Sequence, residues 1–430
     1  TSGPIHLLPG DTDPDGDTVL VHPGTYFENI HLNGKDIVLR STDAMDPAIV
    51  AATIIDGKST ATVVTFAGTE TEVCLLRGFT IQNGRGVEGG GIQGAGTHAR
   101  IWENVITENE GGRYGGGIDN CDGLIWRNRI IDNMTNGVYS GEGGGLAHCD
   151  GHILDNEILD NVASAEHSAS GGGLFDCNGL IENNRILRNG AGVISPFQTT
   201  GGGGGGVSAG SGTLRNNLIA GNNAGVGGGI SGFSGTIENC TIVGNSVGGN
   251  PIVPHPGGGL QNCSGPIRNC ILWDNEATTQ PQVNNSTAPT YSCIQDWTAG
   301  GEGNISDDPL FVSGPLGSYY LSQTAAGQGA QSPCVDAGSS SSAAAGLGDR
   351  TTRTDQAPDE GIVDMGYHHR IATDLPNLII SNVDFSPQTI DAGSGTVLHF
   401  TGEIRNSGLQ PTGNRFWIEF LVQPLGDPPL

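Results

Sequence analysis

An asparagine that recurs at one slot of a repeated pattern constrains the fold more than any other feature of this chain. Seven copies of the pattern read RIWENVITENE, LIWRNRIIDNM, HILDNEILDNV, LIENNRILRNG, TLRNNLIAGNN, TIENCTIVGNS and PIRNCILWDNE. The recurrent residues are Asn109, Asn133, Asn161, Asn189, Asn222, Asn245 and Asn275, with Asn83 one repeat earlier. Because the copies lie 23 to 33 residues apart, the sequence indicates a regular spine with loops of variable length.

Further columns accompany this asparagine. Five positions before it a second polar column holds Asn104, Asn128, Asn156, Asn184 and Asn217, followed by Cys240 and Cys270. A triple glycine recurs at 89–91, 115–117, 143–145, 171–173, 204–206, 227–229 and 257–259. Two apolar columns are typical of inward-facing strand positions. They are Ile101, Ile125, Ile153, Ile181, Leu214, Ile237 and Ile267, and Ile106, Ile130, Ile158, Ile186, Ile219, Ile242 and Leu272.

Together these columns predict an all-β fold, a right-handed parallel β-helix of about ten coils. In a coil of three short strands, each strand pairs with its counterparts roughly 4.8 Å above and below, so equivalent side chains stack on one another. An asparagine at a bend tolerates left-handed backbone angles and bonds to the asparagine of the next coil. We therefore expect residues 1–283 to form the β-helix, with the asparagines as a structural ladder along it.

The pattern resembles that of the parallel β-helix repeat proteins, a fold shared by pectate lyases, polygalacturonases and surface adhesins. Residues 304–368 contain NISDDPLFV, SPCVDAG and DRTTRTDQAPDEGIVDMGYHH, and closely resemble the cap of the choice-of-anchor Q proteins. After Asp374, LPNLIISNVDFSPQTIDAGSGTVLHFTGEIRNSG resembles the opening strands of a CARDB-type immunoglobulin-like module. These resemblances imply a C-terminal cap over 284–372, a partial β-sandwich over 373–430, and a secreted or cell-surface protein of a bacterium.

Charge narrows the classes of partner. The chain has 45 acidic and 18 basic residues, a formal charge of -27, and its only lysines are Lys35 and Lys58. Nucleic acid would be repelled, because phosphate binding depends on clustered Lys and Arg. No run of 18 apolar residues is present, so we expect no membrane insertion in this segment. The sequence starts without Met and stops at Leu430, so we expect a processed or truncated product.

The nine cysteines admit two interpretations. Four of them, Cys121, Cys149, Cys177 and Cys263, share one interior column and favour stacked core thiols. Neighbouring coils nevertheless place Cα atoms within disulfide range. The candidate disulfides are Cys240 with Cys270, on adjacent coils, and Cys293 with Cys334, beyond the repeats.

Acidic clusters are the candidate metal ligands. Asp11, Asp13, Asp15 and Gly16 spell DxDxDG, a spacing that can bring three carboxylates around Ca²⁺. His22 at the twelfth loop position excludes a complete EF-hand and leaves a looser calcium loop or an acidic turn. In the cap, Asp336, Asp349, Asp355, Asp359 and Asp364 could gather a cation, but bonds to Arg350 and Arg353 and turn capping are favoured. No cofactor is required, and Ca²⁺ is the candidate ion.

Recognisable catalytic sets are missing from the repeats. The string from Gly24 to Glu28 has the GxYxE pattern of pectin methylesterases, but the QDT and DFIFG segments of that family are absent. Outward arginines that a polysaccharide lyase would need alternate with acids along the rod, which favours ion pairs. Polygalacturonase-like NTD, DD and GHG segments are absent from the coils. His148, His167 and His255 have no paired nucleophile, so we interpret them as surface residues.

A carbohydrate-binding surface has somewhat more support. Trp102 and Trp126 occupy equivalent outward slots on neighbouring coils and would stack as a flat aromatic strip for sugar rings. We add Tyr114 and Tyr139 as candidates. The longest variable loops, 134–142, 162–170, 190–203 and 246–256, share one edge of the rod, where repeat proteins often bind their ligands.

Two functional hypotheses follow. The first is an extracellular structural or adhesive β-helix protein that binds glycan or Ca²⁺ or belongs to a surface polymer. Its partners would be a polysaccharide, another surface protein, or copies of itself. The alternative is a secreted polysaccharide lyase or glycoside hydrolase that acts on an acidic polysaccharide.

Overall fold

Parallel strands stack along the whole repeat region. The computed structural model describes residues 17–193, 202–248 and 255–371, and the backbone of 378–386 and 399–406. Three sheets of 10, 11 and 10 strands each take one strand from every coil. Pairing between coils is in register, as where Trp102 pairs with Trp126 and Ile106 with Ile130. The predicted parallel β-helix of about ten coils is therefore confirmed.

The strands of the three sheets are short. Sheet 1 contains Thr18–Val21, Val38–Ser41, Leu75–Arg77, Arg100–Trp102, Leu124–Trp126, His152–Leu154, Leu180–Glu182, Thr213–Arg215, Thr236–Glu238 and Ile267–Arg268. Sheet 2 contains Gly24–Tyr26, Thr53–Asp56, Thr80–Gln82, Val105–Thr107, Arg129–Ile131, Glu157–Leu159, Arg185–Leu187, Leu218–Ala220, Thr241–Val243, Ile271–Trp273 and Cys293–Ile294. Sheet 3 contains Ile30–His31, Val64–Thr65, Ile92–Thr97, Ile118–Cys121, Leu146–Ala147, Leu174–Phe175, Val207–Ser208, Ile230–Ser231, Leu260–Gln261 and Val283–Asn284. Sheet 2 thus continues past the predicted boundary at residue 283.

The core is a single stack of aliphatic side chains between these sheets. Ile101 of sheet 1, Ile106 of sheet 2 and Ile92 of sheet 3 are fully buried, and they belong to one cluster that runs from Val21 to Ile294. Each buried side chain of this kind contributes about 1.5–3 kcal/mol relative to an exposed one. Both apolar columns therefore face inward, as their spacing predicts.

Both asparagine columns form continuous hydrogen-bonded ladders inside the rod. At the corner between sheets 1 and 2, the backbone N–H and Nδ2 of Asn128 donate to Oδ1 of Asn156 at 2.8 and 3.1 Å. After sheet 2, the same two groups of Asn133 donate to Oδ1 of Asn161, both at 3.0 Å. Each amide also bonds to a carbonyl of the preceding coil, as from Asn161 Nδ2 to Ile130 at 2.8 Å. The side chains thus satisfy backbone groups that the bends leave unpaired.

The prediction that Asn83 belongs to this ladder is wrong. The backbone N–H of Gly84 donates to Oδ1 of Asn109 at 2.8 Å, so Gly84 occupies the slot. Asn83 lies one residue earlier with a φ of 54°, and its Nδ2 donates to Oδ2 of Asp56 at 2.8 Å. The reason is register, because sheet 2 pairs Gln82 with Thr107 and so sets Asn83 opposite Glu108.

The two candidate disulfides are not formed, because all nine cysteines are buried free thiols. Cys240 continues the second polar column, and its Sγ accepts from the backbone N–H of Asn217 at 3.4 Å. Cys270 stacks beside it on the next coil, with its Sγ 3.1 Å from the carbonyl oxygen of Arg268. Cys334 of the cap packs in one buried cluster with Cys293, whose Sγ donates to the carbonyl oxygen of Asp307 at 3.2 Å. Both pairs are therefore neighbours in space without a covalent bond.

The triple glycines allow the chain to pass from the loop sheet into sheet 3 in close contact with the backbone of adjacent coils. Gly143 has a φ of 69°, which L side chains rarely adopt. A Cβ on Gly144 would lie 2.5 Å from the carbonyl carbon of Val162 and 2.6 Å from the carbonyl oxygen of Gly172. Only glycine fits at this position without moving main chain of adjacent coils.

The described parts of the variable loops form a fourth sheet of nine strands, while residues 194–201 and 249–254 of the predicted loops lie outside the described residues. Its strands are Arg85–Glu88, Glu110–Tyr114, Met134–Gly137, Ser140–Glu142, Val162–Ala165, Ser168–Ser170, Gly190–Val193, Asn223–Ala224 and Ser246–Val247. These strands pair in parallel across coils, as Met134 does with Val162. The loop edge is therefore a built surface beside sheet 3.

The cap packs along the side of the rod. It contains antiparallel pairs of Phe311–Gly314 with Gly317–Leu321 and of Arg350–Thr351 with His369–Arg370. Asn216 and His368 exchange two hydrogen bonds at 2.7 and 2.9 Å. Outward residues of sheet 2, including Leu187, Leu218 and Val243, are covered by Tyr367 together with Phe311 and Tyr319. Sheet 2 is therefore sandwiched between the core and the cap over its C-terminal coils.

Other elements are few. The described helices are Pro47–Ala52, whose N-cap is Asp46, and the 3₁₀ turn Thr324–Ala326. In the part of the chain that the structure describes, no helix has the length and apolar character to cross a bilayer. Leu378–Ser386 and His399–Asn406 form an antiparallel hairpin in the region predicted to begin a β-sandwich.

Candidate functional site

An arginine-lined cleft opens where the cap meets the rod, and its volume is about 430 Å³. This is within the usual range for small-molecule sites. Five of its lining residues are arginines and two are carboxylates, in a chain whose formal charge is -27. The rod contributes Arg127, Asn128, Arg129, Asp155, Asn156, Glu157, Asn183 and Arg185, and the cap contributes Leu316, Arg350, Tyr367, His369 and Arg370.

Three of the arginines are ion-paired within the cleft. Glu157 lies between two of them, 3.2 Å from Arg129 Nε and 2.8 Å from Arg185 Nη1. Arg350 of the cap reaches Asp155 at 3.3 Å. The interpretation of outward rod arginines as ion-paired therefore holds for Arg129 and Arg185. The expectation that cap aspartates bond Arg350 is wrong, because its partner is on the rod.

Arg127 and Arg370 differ from the other three. Among the described residues neither forms an ion pair with a carboxylate. Arg127 lies over the ring of Trp126 at 4.2 Å, and its Nε is buried without a hydrogen-bond partner. Burial lowers the pKa of Arg127 and the nearby Arg370 and Arg350 act in the same direction, whereas Asp155 and Glu103 raise it. A guanidinium keeps its proton at any ordinary pH, so the five arginines of the cleft, set against two carboxylates, give it a net positive charge.

The histidine on the cap side of the cleft is neutral. His369 stacks on Tyr320 at 3.7 Å and is 3% exposed. Burial lowers the pKa of His369 to about 3, so the imidazole is neutral and its buried Nε2 has no partner among the described residues. The positive charge of the cleft therefore comes from guanidinium groups, which bind carboxylate and sulfate oxygens in a planar, bidentate manner.

The predicted tryptophan strip borders the cleft but is not flat. Trp102 and Trp126 are register partners on sheet 1, with ring centroids 5.3 Å apart and planes at 74°. Trp126 is held by a hydrogen bond from its Nε1 to Oδ2 of Asp155 at 3.2 Å. The edge-to-face arrangement replaces the expected coplanar strip, because each indole packs against its own neighbouring arginine. Trp126 thus joins the aromatic pair to the cleft through Asp155 and Arg127.

Tyr114 and Tyr139 lie elsewhere, on the loop edge. Tyr139 is 79% exposed and stacks on His167 with ring centroids 5.9 Å apart. Tyr114 contacts His148 edge to face at 4.5 Å. His148 Nδ1 lies 3.0 Å from Oδ1 of the buried Asp119, so it is more than a surface residue. His255, also expected at the surface, is buried and its Nδ1 lies 3.0 Å from the carbonyl oxygen of Gly225.

The candidate metal ligands that lie in the described residues are not grouped around one point. Asp11, Asp13 and Asp15 lie outside the described residues. In the cap, Asp355 pairs with Arg353 and Asp359 with His368. Within the described ranges, no group of three or more His, Cys, Asp or Glu side chains is arranged to hold a metal ion. Calcium binding therefore stays a prediction.

Sequence reasoning missed the cleft because its two walls are far apart in the chain. Arg127 and Arg370 are brought together only when the cap packs on the rod. A signal was present in sheet 2, where outward positions become apolar at Leu187, Leu218 and Val243. Such residues on an outer face indicate that something covers them.

Comparison of the chain with protein-family models, with curated proteins and with solved structures finds no match in any of the three.

Proposed function

We propose that this protein is a secreted or cell-surface β-helix protein of a bacterium that binds an acidic polysaccharide through the arginine-lined cleft. The observation that carries the proposal is the pair Arg127 and Arg370, two guanidinium groups without a carboxylate partner among the described residues, in one concave site. Placing these two groups beside other arginines costs free energy, and a bound anion would relieve the repulsion. In a chain that is otherwise strongly acidic, this placement favours a negatively charged ligand.

The surroundings of the cleft suit a sugar acid. Arg127 and Arg370 can each contact two carboxylate or sulfate oxygens, which fixes the orientation of the group. The adjoining Trp102 and Trp126 provide an apolar surface for a neighbouring sugar ring. The rod extends on both sides of the site, so a long polymer could continue along it. Adhesion to an acidic matrix is the role that this combination supports.

The test is a titration of the protein with defined acidic oligosaccharides, namely oligogalacturonate, alginate and chondroitin sulfate fragments, followed by calorimetry. We expect binding to at least one of them and a steep loss of affinity as salt is raised, because ionic contacts are screened. Arg127→Gln and Arg370→Gln should each weaken binding about 10- to 150-fold, as expected for losing a hydrogen bond to a charged group.

Arg188→Gln is the matched control, since Arg188 is exposed and paired with Asp160 at 2.6 Å outside the cleft. It should leave the affinity unchanged. Equal binding of uncharged dextran, or an unchanged affinity in the double variant of Arg127 and Arg370, would show that the cleft is not a site for acidic sugars.

A further inference from the structure

A histidine–aspartate pair lies at the corner between sheet 3 and the loop sheet. His148 Nδ1 is 3.0 Å from Oδ1 of Asp119, whose side chain is 3% exposed, whereas that of His148 is 31% exposed. The carboxylate therefore holds Nδ1 protonated in the neutral imidazole and leaves Nε2 as a free base. No hydrogen bond from Nε2 to another described residue is present. This is the arrangement by which a carboxylate orients a general base.

Aromatic side chains surround the imidazole. The ring of Tyr114 lies 4.5 Å from it and that of Phe175 lies 5.7 Å away, both edge to face. Arg113 is 4.5 Å from the centroid of the Tyr114 ring, and its Nε donates to Ser140 at 2.9 Å. These contacts fix His148 in one position at the solvent boundary, and they provide apolar surface on which a sugar ring can pack.

An acid lies beside the base. Glu142 is the register partner of Tyr114 in the loop sheet, and its side chain is 16% exposed. Burial is the largest cause and raises the pKa of Glu142, as does Asp176, whereas Arg113, 3.9 Å away, and His148 lower it. The carboxyl group therefore keeps its proton to a higher pH than an ordinary glutamate. Tyr114 thus separates a proton donor from a proton acceptor.

We propose that His148 and Glu142 form a hydrolytic centre that cleaves a glycosidic bond of an uncharged sugar chain. His148 Nε2 takes a proton from a water molecule while the water oxygen bonds to the anomeric carbon. The bond from that carbon to the glycosidic oxygen breaks, and Glu142 gives its proton to the leaving oxygen. Solvent then removes the proton from His148 and restores the one on Glu142, so the centre returns to its starting state.

The charges around the centre decide which substrate fits. Asp119, Asp176 and Glu142 act on His148, and Glu88 and Arg113 lie near Tyr114. This predominantly negative surrounding stabilises the positive charge that develops on the sugar ring during hydrolysis. It would repel a carboxylate on the substrate. A neutral glycan is therefore favoured here, in contrast to the arginine-lined cleft on another face of the rod.

The experiment measures reducing ends released from a panel of neutral polysaccharides, namely mixed-linkage glucan, xylan, galactan and glucomannan. The full chain should cleave at least one of them, and His148→Gln should lower kcat about 100-fold or more, the contribution of a general base. His152→Gln is the matched control, because His152 is exposed on sheet 1 and should retain full activity. No reducing ends from any of the four glycans, or activity in His148→Gln equal to the control, overturns the proposal.

Two variants separate a catalytic role from a structural one. Glu142→Gln should lose activity on the polysaccharide but keep it on a nitrophenyl glycoside of the same sugar, whose leaving group needs no proton. Asp119→Asn should lower kcat and move the acidic limb of the pH profile to lower pH. The hydrogen bond that His148 donates to Asp119 is the main cause that raises the pKa of His148, and Asp176 and Glu142 contribute as well. Equal loss on both substrates and an unmoved limb would contradict these roles.

This inference does not depend on acidic-polysaccharide binding. Arg127→Gln should leave release of reducing ends unchanged, and His148→Gln should leave the calorimetric titration with acidic oligosaccharides unchanged. Either proposal can therefore fail alone.

Discussion

Arg350 of the cap and Asp155 of the rod are 195 residues apart in the sequence, yet Arg350 Nη2 lies 3.3 Å from Asp155 Oδ1. Asp155 also accepts the hydrogen bond from Trp126 Nε1 at 3.2 Å. A single carboxylate thus fixes the cap, the tryptophan pair and one wall of the arginine-lined cleft. The geometry of the cleft consequently depends on how the cap is docked.

The first prediction concerns this pair. Arg350→Ala and Asp155→Ala, made singly and together, should give a coupling energy of about 1 kcal/mol in the free energy of unfolding measured with urea, because both side chains are partly buried. The same cycle on Arg268 and Glu238 is the control, since Arg268 is 51% exposed. A coupling energy no larger than that of the control would contradict the prediction.

The asparagine ladder gives the second prediction. Asn161→Ala removes a fully buried amide that donates to Ile130 and Asn189 and accepts two hydrogen bonds from Asn133. Several buried polar groups would then have no partner, so the free energy of unfolding should fall by about 3 kcal/mol. Asn136→Ala, at an exposed position of the loop sheet, should change it by less than about 0.5 kcal/mol. Chemical denaturation of both variants tests the contrast.

The third prediction is a pH dependence. Burial lowers the pKa of His369 to about 3, below the ordinary value of 6.5 that it has when unfolded. The unfolded chain therefore binds this proton first, so stability is fully present above pH 6.5 and is lost as the pH falls toward 3. His369→Phe keeps the stack on Tyr320 and removes the titration.

Relative to the wild type, the free energy of unfolding of His369→Phe should rise by about 2 kcal/mol between pH 7.5 and pH 5. Asp364, with a pKa raised by burial to about 6, acts in the opposite direction in both proteins and cancels in the comparison. Thermal or urea denaturation at the two pH values is the measurement. Parallel stability curves for the two proteins would refute a buried neutral histidine.

The fourth prediction concerns the second polar column, in which Asn217 is followed by Cys240 on the next coil. Asn217 donates there to Cys240 Sγ, with its backbone N–H at 3.4 Å and its Nδ2 at 4.0 Å, and sulfur is a weak acceptor. Cys240→Asn supplies an amide oxygen at a side chain of similar size. We expect a gain of about 1 kcal/mol in unfolding free energy and a loss of similar size for Cys240→Ala. A loss in both variants would mean that the column cannot accept an amide at this coil.

The spine of this fold could be predicted because each of its columns repeats. Asn133, Asn161 and Asn189 stack as their spacing required. The prediction for Asn83 was wrong because the strand register places Gly84, one residue later, in the ladder position next to Asn109. The loop sheet was not predicted, since segments such as Met134–Gly137 show no apolar alternation and are held by main-chain bonds to adjacent coils.

The sites were less predictable than the spine. Arg127 and Arg370 meet only through docking of the cap, which no local pattern encodes. His148 and Asp119 are 29 residues apart, which is close to the length of one coil. Alignment of neighbouring coils would therefore have placed the two side chains side by side. A search for local catalytic motifs misses such pairs, because their two residues lie on different coils.

Solenoids usually lose their terminal repeats one at a time, because each repeat touches only its nearest neighbours. Here the cap contacts Asp155, Leu187, Asn216, Thr241 and Asn269, which belong to five successive coils. The cap therefore links these coils to one another, and the C-terminal coils cannot unfold one by one unless the cap is released first. Hydrogen exchange across these coils should then show one cooperative opening. In a rod without the cap, the exchange rates would instead increase gradually toward the end of the rod.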